Sequence, residues 1–184
     1  MNDIQLIIFD LDGTLYDLND VVTMNYRMQV GFYSSYTGMS SVETIKTFEQ
    51  NDIYPVMGEK SKSATEFFIK SGIPASEWND YREKHFDVKA ICSDSAVNAQ
   101  VIKEFGLNKT LILLSSNSIN NIKKILMHIN IPNTLFKEIC CSDNCYGLNG
   151  FRKIDEIRLI SKRYQVRQDK MLSIGDRYKT DVDP

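Results

Sequence analysis

IIFDLDGTLYD, residues 7–17, sets the apolar run Ile7, Ile8, Phe9 directly before two carboxylates, Asp10 and Asp12. Gly13 and Thr14 follow, and then a third acid, Asp17. The apolar run has strand length and strand character. Like charges held within a few ångströms raise each other's pKa unless a cation intervenes. The stretch therefore predicts a buried strand that ends in a charged, ligand-ready rim.

That run is one of four along the chain. QLIIF at 5–9, TLILL at 110–114 and MLSI at 171–174 are continuous and apolar, and KEICC at 137–141 is a weaker fourth. Unbroken apolar runs suit parallel strands covered on both faces. Helical patterns lie between them. INNIKKILMHI puts Ile119, Ile122, Ile125, Leu126 and Ile129 on one stripe, and KIDEIRLISKRY does the same with Ile154, Ile157, Leu159, Ile160 and Tyr164. SAVNAQVIKEFG predicts a helix capped by Ser95 and ended by Gly106. Alternating strands and helices imply an α/β fold, a Rossmann-like doubly wound parallel sheet.

Residues 18–92 break the alternation, with no strand candidate and several helical patterns. SSVETIKTFEQ carries a capping box from Ser40 to Glu43, and SATEFFIKSG and ASEWNDYREKHF follow. So long an interval exceeds an ordinary crossover and predicts an inserted all-helical lobe. The expected division is 1–17 with 93–184 as the core and 18–92 as the lobe. Tyr26, Phe32, Tyr33 and Tyr36 are expected in the lobe's core, Trp78 and His85 as packing or surface residues, and Asp17 and Asp20 as helix caps.

Composition narrows the class. The 184 residues are 42% apolar and 25% charged, with a formal net charge of −2. No basic field favours nucleic acid or an anionic membrane, and neither partner is expected. No stretch approaches a spanning length. No secretory leader pattern opens the chain, so a cytoplasmic location is expected. Cys92, Cys140, Cys141 and Cys145 lack paired zinc-ligand spacing, and His85 and His128 are remote from them, so reduced thiols are expected.

Ligands of parallel sheets bind beyond the carboxyl ends of the strands. Asp10, Asp12, Gly13 and Thr14 follow the first strand, Ser115, Ser116 and Asn117 the second, and GDRYKTD with Asp176 and Asp181 the last. Lys153 opens a helix in the remaining segment. Four acids at one rim call for a hard divalent ion, Mg²⁺, and the hydroxyl and lysine for an anion beside it. Acids, metal and anion clamp together point to phosphoryl transfer.

These residues resemble the haloacid dehalogenase superfamily of phosphohydrolases. DLDGT is similar to its first motif, LILLSSN to its second, Lys153 to its third and GDRYKTD to its fourth, in family order along the whole chain. The lobe lies where that family inserts a helical cap. The resemblance implies that Asp10 is the nucleophile, forming an aspartyl-phosphate, and that Asp12 is the general acid/base. It implies phosphate binding by Ser116, Asn117, Lys153, Gly13 and Thr14, with Ser115 only ending the strand. Mg²⁺ would be held by Asp10, the Asp12 backbone carbonyl and Asp176, with Asp181 supporting from behind. Arg177, Tyr178 and Lys179 read as exposed loop.

An acid at position 12 is expected of phosphatases and phosphomutases and not of true dehalogenases. The implied activity is Mg²⁺-dependent hydrolysis of a small phosphate monoester, in a style similar to pyrimidine nucleotidases and phosphoglycolate phosphatases. The alternatives are a phosphomutase of the same family and a catalytically silent binding or regulatory member. A phospho-receiver domain has a different motif order and no room for the lobe. The chain stops at Pro184, where the family continues with a strand and a helix. An uncovered sheet edge at MLSIG, with homo-oligomerisation or self-association there, is the corresponding expectation.

Overall fold

The computed structural model describes residues 3–55, 61–92, 97, 99–141 and 153–176. In chain order these form β1 (Leu6–Phe9), α1 (Asn19–Thr37), α2 (Ser41–Gln50), α3 (Ala64–Lys70) and α4 (Ala75–His85). Then come α5 (Ala99–Gly106), β2 (Thr110–Leu114), α6 (Ile119–His128), β3 (Glu138–Cys140), α7 (Lys153–Tyr164) and β4 (Met171–Ile174). The chain divides into two compact units, Met1–Asp17 with Ile91–Pro184, and Leu18–Ala90.

The first unit carries the sheet. All pairings are parallel and the strand order is β3-β2-β1-β4. The chain runs outward from β1 to β3 and then returns to the other side of β1, so the order reverses at β1. Crevices at such reversals are where open α/β sheets bind ligands. Phe9 pairs with Leu113 on one side and with Ile174 on the other, so the carboxyl ends of three strands lie level. Leu6, Ile8, Ile112, Leu114, Cys140 and Ile160 form a buried core, with Ile157, Tyr164, Val166 and Met171 packed against it. That core seats α7 on one face of the sheet. Cys140 and Cys141 are buried, Cys92 is exposed, and Cys145 lies outside the described residues.

A polar clamp fixes the far end of α7. Arg163 donates to Glu138 on β3 and, at 3.1 Å, to Oε1 of the buried Glu156, while the Tyr164 hydroxyl donates to Glu138 Oε2 at 2.9 Å. Burial alone would raise the Glu138 carboxyl, but these two donors and the Arg163 charge hold it below its ordinary value. Burial and the bond to Glu138 push the Tyr164 phenol up to about 12.

The second unit is helical. Ser40 accepts from the Glu43 N–H and the Glu43 carboxylate accepts from the Ser40 N–H, the capping box foreseen for α2. Ser63 caps α3 in the same way. Gly38, at φ +77°, ends α1 with its N–H on the Ser34 carbonyl. Inside, aromatic rings do most of the packing. Phe68 is fully buried, with ring centroids 5.1 Å from Phe32, 5.5 Å from Trp78, 5.9 Å from Tyr33 and 6.1 Å from Phe48. Burial, and then the Glu49 charge, raise the half-buried Tyr26 phenol.

Several local expectations need correction. Tyr36 is 49% exposed rather than in the core, because it lies in the last turn of α1 and packs against Phe32. The residue capping α1 is Leu18, in helical conformation and without a side-chain bond, because the chain buries an apolar side chain there. Asp17 therefore precedes the cap, and Asp20 lies within α1. Helix α5 starts at Ala99, because Val97 is non-helical and its N–H goes to the Leu15 carbonyl at 2.9 Å. Ser95 lies outside the described residues. No helix of the described residues is long and apolar enough to cross a membrane.

Phe68→Ala is expected to destabilise the helical unit by about 3–5 kcal/mol, since a fully buried ring leaves a cavity. Urea denaturation followed by far-UV circular dichroism measures this, and a loss below about 1 kcal/mol would contradict the packing described. Glu138 gives a pH test. Its carboxyl is depressed in the folded state, so its contribution is present above the unfolded value of 4.5 and is lost as pH falls through the folded value. Glu138→Gln should therefore lower the urea midpoint at about pH 6 and make little difference at about pH 3.

Candidate active site

The site forms where β1, β2 and β4 end together. Asp10 follows Phe9, and its N–H donates to the Ile174 carbonyl at 2.9 Å, which extends the β1–β4 ladder by one bond. Its carboxylate meets Lys153, Nζ to Oδ1 2.7 Å, with the two side chains only 8% and 14% exposed. A lysine in the first turn of a helix opposes the helix dipole, so α7 gains nothing local from it. Its placement is set by the carboxylate, 143 positions earlier in the chain. Charges this far from water are stable only as partners.

After Asp10 the chain makes a tight turn. The Leu15 N–H donates to the Leu11 carbonyl at 2.9 Å and the Thr14 N–H to the same oxygen at 3.3 Å. Gly13 sits at φ +81°, and a Cβ there would lie 2.7 Å from Oδ2 of Asp176. Only glycine lets the Asp176 carboxylate lie against this turn. Asp176 is therefore brought to the same rim as Asp10 and Asp12. Thr14 Oγ1 is buried without a hydrogen-bond partner, an unsatisfied hydroxyl inside the turn.

Both oxygens of Asp12 are engaged. Oδ1 accepts from the Tyr16 hydroxyl, and Oδ2 from the Ser115 hydroxyl at 3.4 Å. Ser115 is fully buried and Oγ also accepts from the Asn117 N–H at 3.1 Å, whereas Ser116 is exposed. The expectation that Ser115 only ends the strand is thus corrected. The side chain directly after Leu114 points inward to Asp12 and the next one points out, as the strand alternation requires. Asn117 is buried, with Oδ1 accepting from the Ser118 N–H at 3.1 Å and from Asn121 Nδ2 at 3.4 Å. Ser118 in turn caps α6 by accepting from the Asn121 N–H. This polar chain locks the β2–α6 turn against the site.

The rim thus brings together Asp10, Asp12, Gly13, Thr14, Ser115, Lys153 and Asp176. Asp181, with Arg177, Tyr178 and Lys179, lies outside the described residues. Among the described residues no three acidic, histidine or cysteine side chains gather closely enough to cage a metal. Two contributors escaped the sequence reading, Ser115 and Tyr16. Tyr16 stands four residues after Asp12 in a turn of nearly helical pitch, the spacing at which side chains meet, and that was the available signal.

No curated protein matches the chain. Among solved structures, the HAD phosphatase from Thermococcus onnurineus is 16% identical, with 98% of this chain and 80% of that one covered at a TM-score of 0.58. CbbY from Rhodobacter sphaeroides, in complex with phosphate, is 17% identical over 91% and 76% at 0.56. The HAD-hydrolase YfnB from Bacillus subtilis, bound to magnesium, is 14% identical over 98% and 83% at 0.55. At such identities the likeness is one of fold. The family model for haloacid dehalogenase-like hydrolases matches residues 7–183, from the strand that delivers Asp10 to beyond Asp176. With that match over nearly its whole length, the chain belongs to the haloacid dehalogenase-like hydrolase family.

Proposed function

We propose that this hydrolase is a Mg²⁺-dependent phosphatase acting on small phosphate monoesters through an aspartyl-phosphate on Asp10. The observation that carries the reading is the nearly buried Lys153–Asp10 pair at the carboxyl end of β1, with Asp12 and Asp176 beside the same turn. A buried carboxylate paired with lysine has its attacking group and its charge-neutralising group already in place. The phosphate bound by CbbY and the magnesium bound by YfnB support the same reading.

The residues fit the metal. Asp10, the Asp12 carbonyl and Asp176 are hard oxygen donors, and Asp176 already lies against Gly13. Mg²⁺ uses one or two carboxylates and otherwise water and substrate oxygens, so it needs no cage of three acids. Bound there, it would supply charge neutralisation between the acids and the phosphate. The chain's own residues do the rest. An Asp10 oxygen attacks phosphorus and forms the P–O bond to the enzyme. The bond to the leaving oxygen breaks with its electron pair, and that oxygen takes a proton from Asp12. Water then attacks phosphorus, Asp12 takes back a proton, and the Asp10–phosphorus bond breaks to release phosphate. Lys153 neutralises charge shared by Asp10 and the phosphate throughout. Ser116, the Gly13–Thr14 turn and Asn117 with its capped helix are the groups that would receive the anion, while Ser115 holds Asp12.

Purified protein is expected to release phosphate from p-nitrophenyl phosphate with Mg²⁺ and to lose that activity in excess EDTA. Full activity in chelator would exclude the metal-dependent reading. Asp10→Asn is expected to lower kcat by roughly 10³-fold or more, because an amide cannot form the acyl phosphate. Asp12→Asn should still form intermediate from an ester with a good leaving group and should turn it over slowly. Stopped-flow release of p-nitrophenolate separates the two variants, and wild-type rates for Asp10→Asn would remove Asp10 as nucleophile.

A further inference from the structure

Asp12 must point one carboxyl oxygen at the leaving group, yet its side chain sits in a turn and not in a strand or helix. What holds it is Tyr16. The ring is only 2% exposed, and its hydroxyl donates to Asp12 Oδ1. The backbones of residues 12 and 16 are also bridged to each other. Leu15, beside it, is tied on two sides, its N–H to the Leu11 carbonyl and its carbonyl to the Val97 N–H, both at 2.9 Å. The phenol is thus a rigid post and the carboxylate is the adjustable partner. Ser115 meets the other oxygen at 3.4 Å, a long contact compared with a charge-assisted O–H···O⁻ bond.

We propose that Tyr16 is the positioning residue of the acid/base: its hydroxyl pins Oδ1 of Asp12 so that Oδ2, on the Ser115 side, carries the proton exchanged with the leaving oxygen. The proposal rests on the phosphatase reading above. The role runs through Asp12 and needs no contact of Tyr16 with phosphorus or the leaving group. A ring of the same shape without the hydroxyl would fill the same space but release the carboxylate to rotate. Misplacing a proton donor by an ångström costs on the order of 10²-fold where proton transfer is needed, and much less where it is not.

Leaving-group dependence therefore separates positioning from packing. Tyr16→Phe should lower kcat/KM for a simple alkyl phosphate at least about tenfold more than for dinitrophenyl phosphate, whose leaving group departs without a proton. In an Asp12→Asn background the same substitution should have no further effect on dinitrophenyl phosphate turnover. Equal losses on both esters, or an added loss in the Asp12→Asn background, would overturn the proposal and leave Tyr16 a packing residue. If the wild-type protein hydrolyses neither ester, the phosphatase reading falls and the proposal with it. An active wild type with an indifferent Tyr16→Phe removes the proposal alone. Should Tyr16→Phe fold poorly, 4-fluorophenylalanine at position 16 fills the space of the hydroxyl without a donor, and an unchanged ratio of alkyl to aryl rates would equally overturn the proposal.

Discussion

The structure of the sheet-bearing unit depends on the double pairing of β1. Leu6–Phe9 is hydrogen-bonded to β2 on one edge and to β4 on the other, and its four residues are almost excluded from water. Such a strand cannot slip, because backbone donors and acceptors on both edges would lose partners and apolar side chains would change faces. Parallel pairing on both sides also forces the three carboxyl ends level. Asp10, Ser115 and Asp176 come from positions far apart in the chain and meet because of that single constraint.

A second layer of order comes from α7. Its apolar stripe, through Ile157 and Ile160, lies on the core of the sheet, and Arg163 and Tyr164 fasten its last turn to Glu138 on β3. With the far end held, the first residue has little freedom, and Lys153 is delivered to Asp10. The pair opposes both desolvation and the helix dipole, so it is not there for local stability. Placement of this kind, where a local rule is broken by groups that satisfy each other, is characteristic of functional sites.

The turn after β1 shows how small backbone choices tune the same site. Gly13 removes the one Cβ that would displace the Asp176 carboxylate, and the Leu11–Leu15 bond tightens the chain so that Tyr16 returns toward Asp12. On the β2 side, Ser115, Asn117 and Ser118 spend their side-chain polarity on one another and on α6. Asp12 is therefore gripped from two strands' loops, and the hydroxyls that grip it are themselves buried and fixed.

The sequence by itself determined the strands, the parallel sheet, most helices and the four motif segments, because each has a local signature. Short continuous apolar runs between helical patterns suit parallel strands, a 3.6-residue stripe seats a helix, and Ser40 with Glu43 forms a capping box from local spacing alone. Asp10, Asp12, Lys153 and Asp176 were legible for the same reason: each is a charged residue at the end or start of an element. What the tertiary structure alone decided is which neighbour a side chain meets across elements. Whether Ser115 or Ser116 turns inward depends on the face of β2 that β1 leaves open to Asp12. Whether Tyr16 reaches Asp12 depends on the pitch of a turn held by Val97, more than eighty residues away. Those are long-range packing facts: the four-residue spacing of Asp12 and Tyr16 makes their meeting possible, and only the packing around the turn makes it happen.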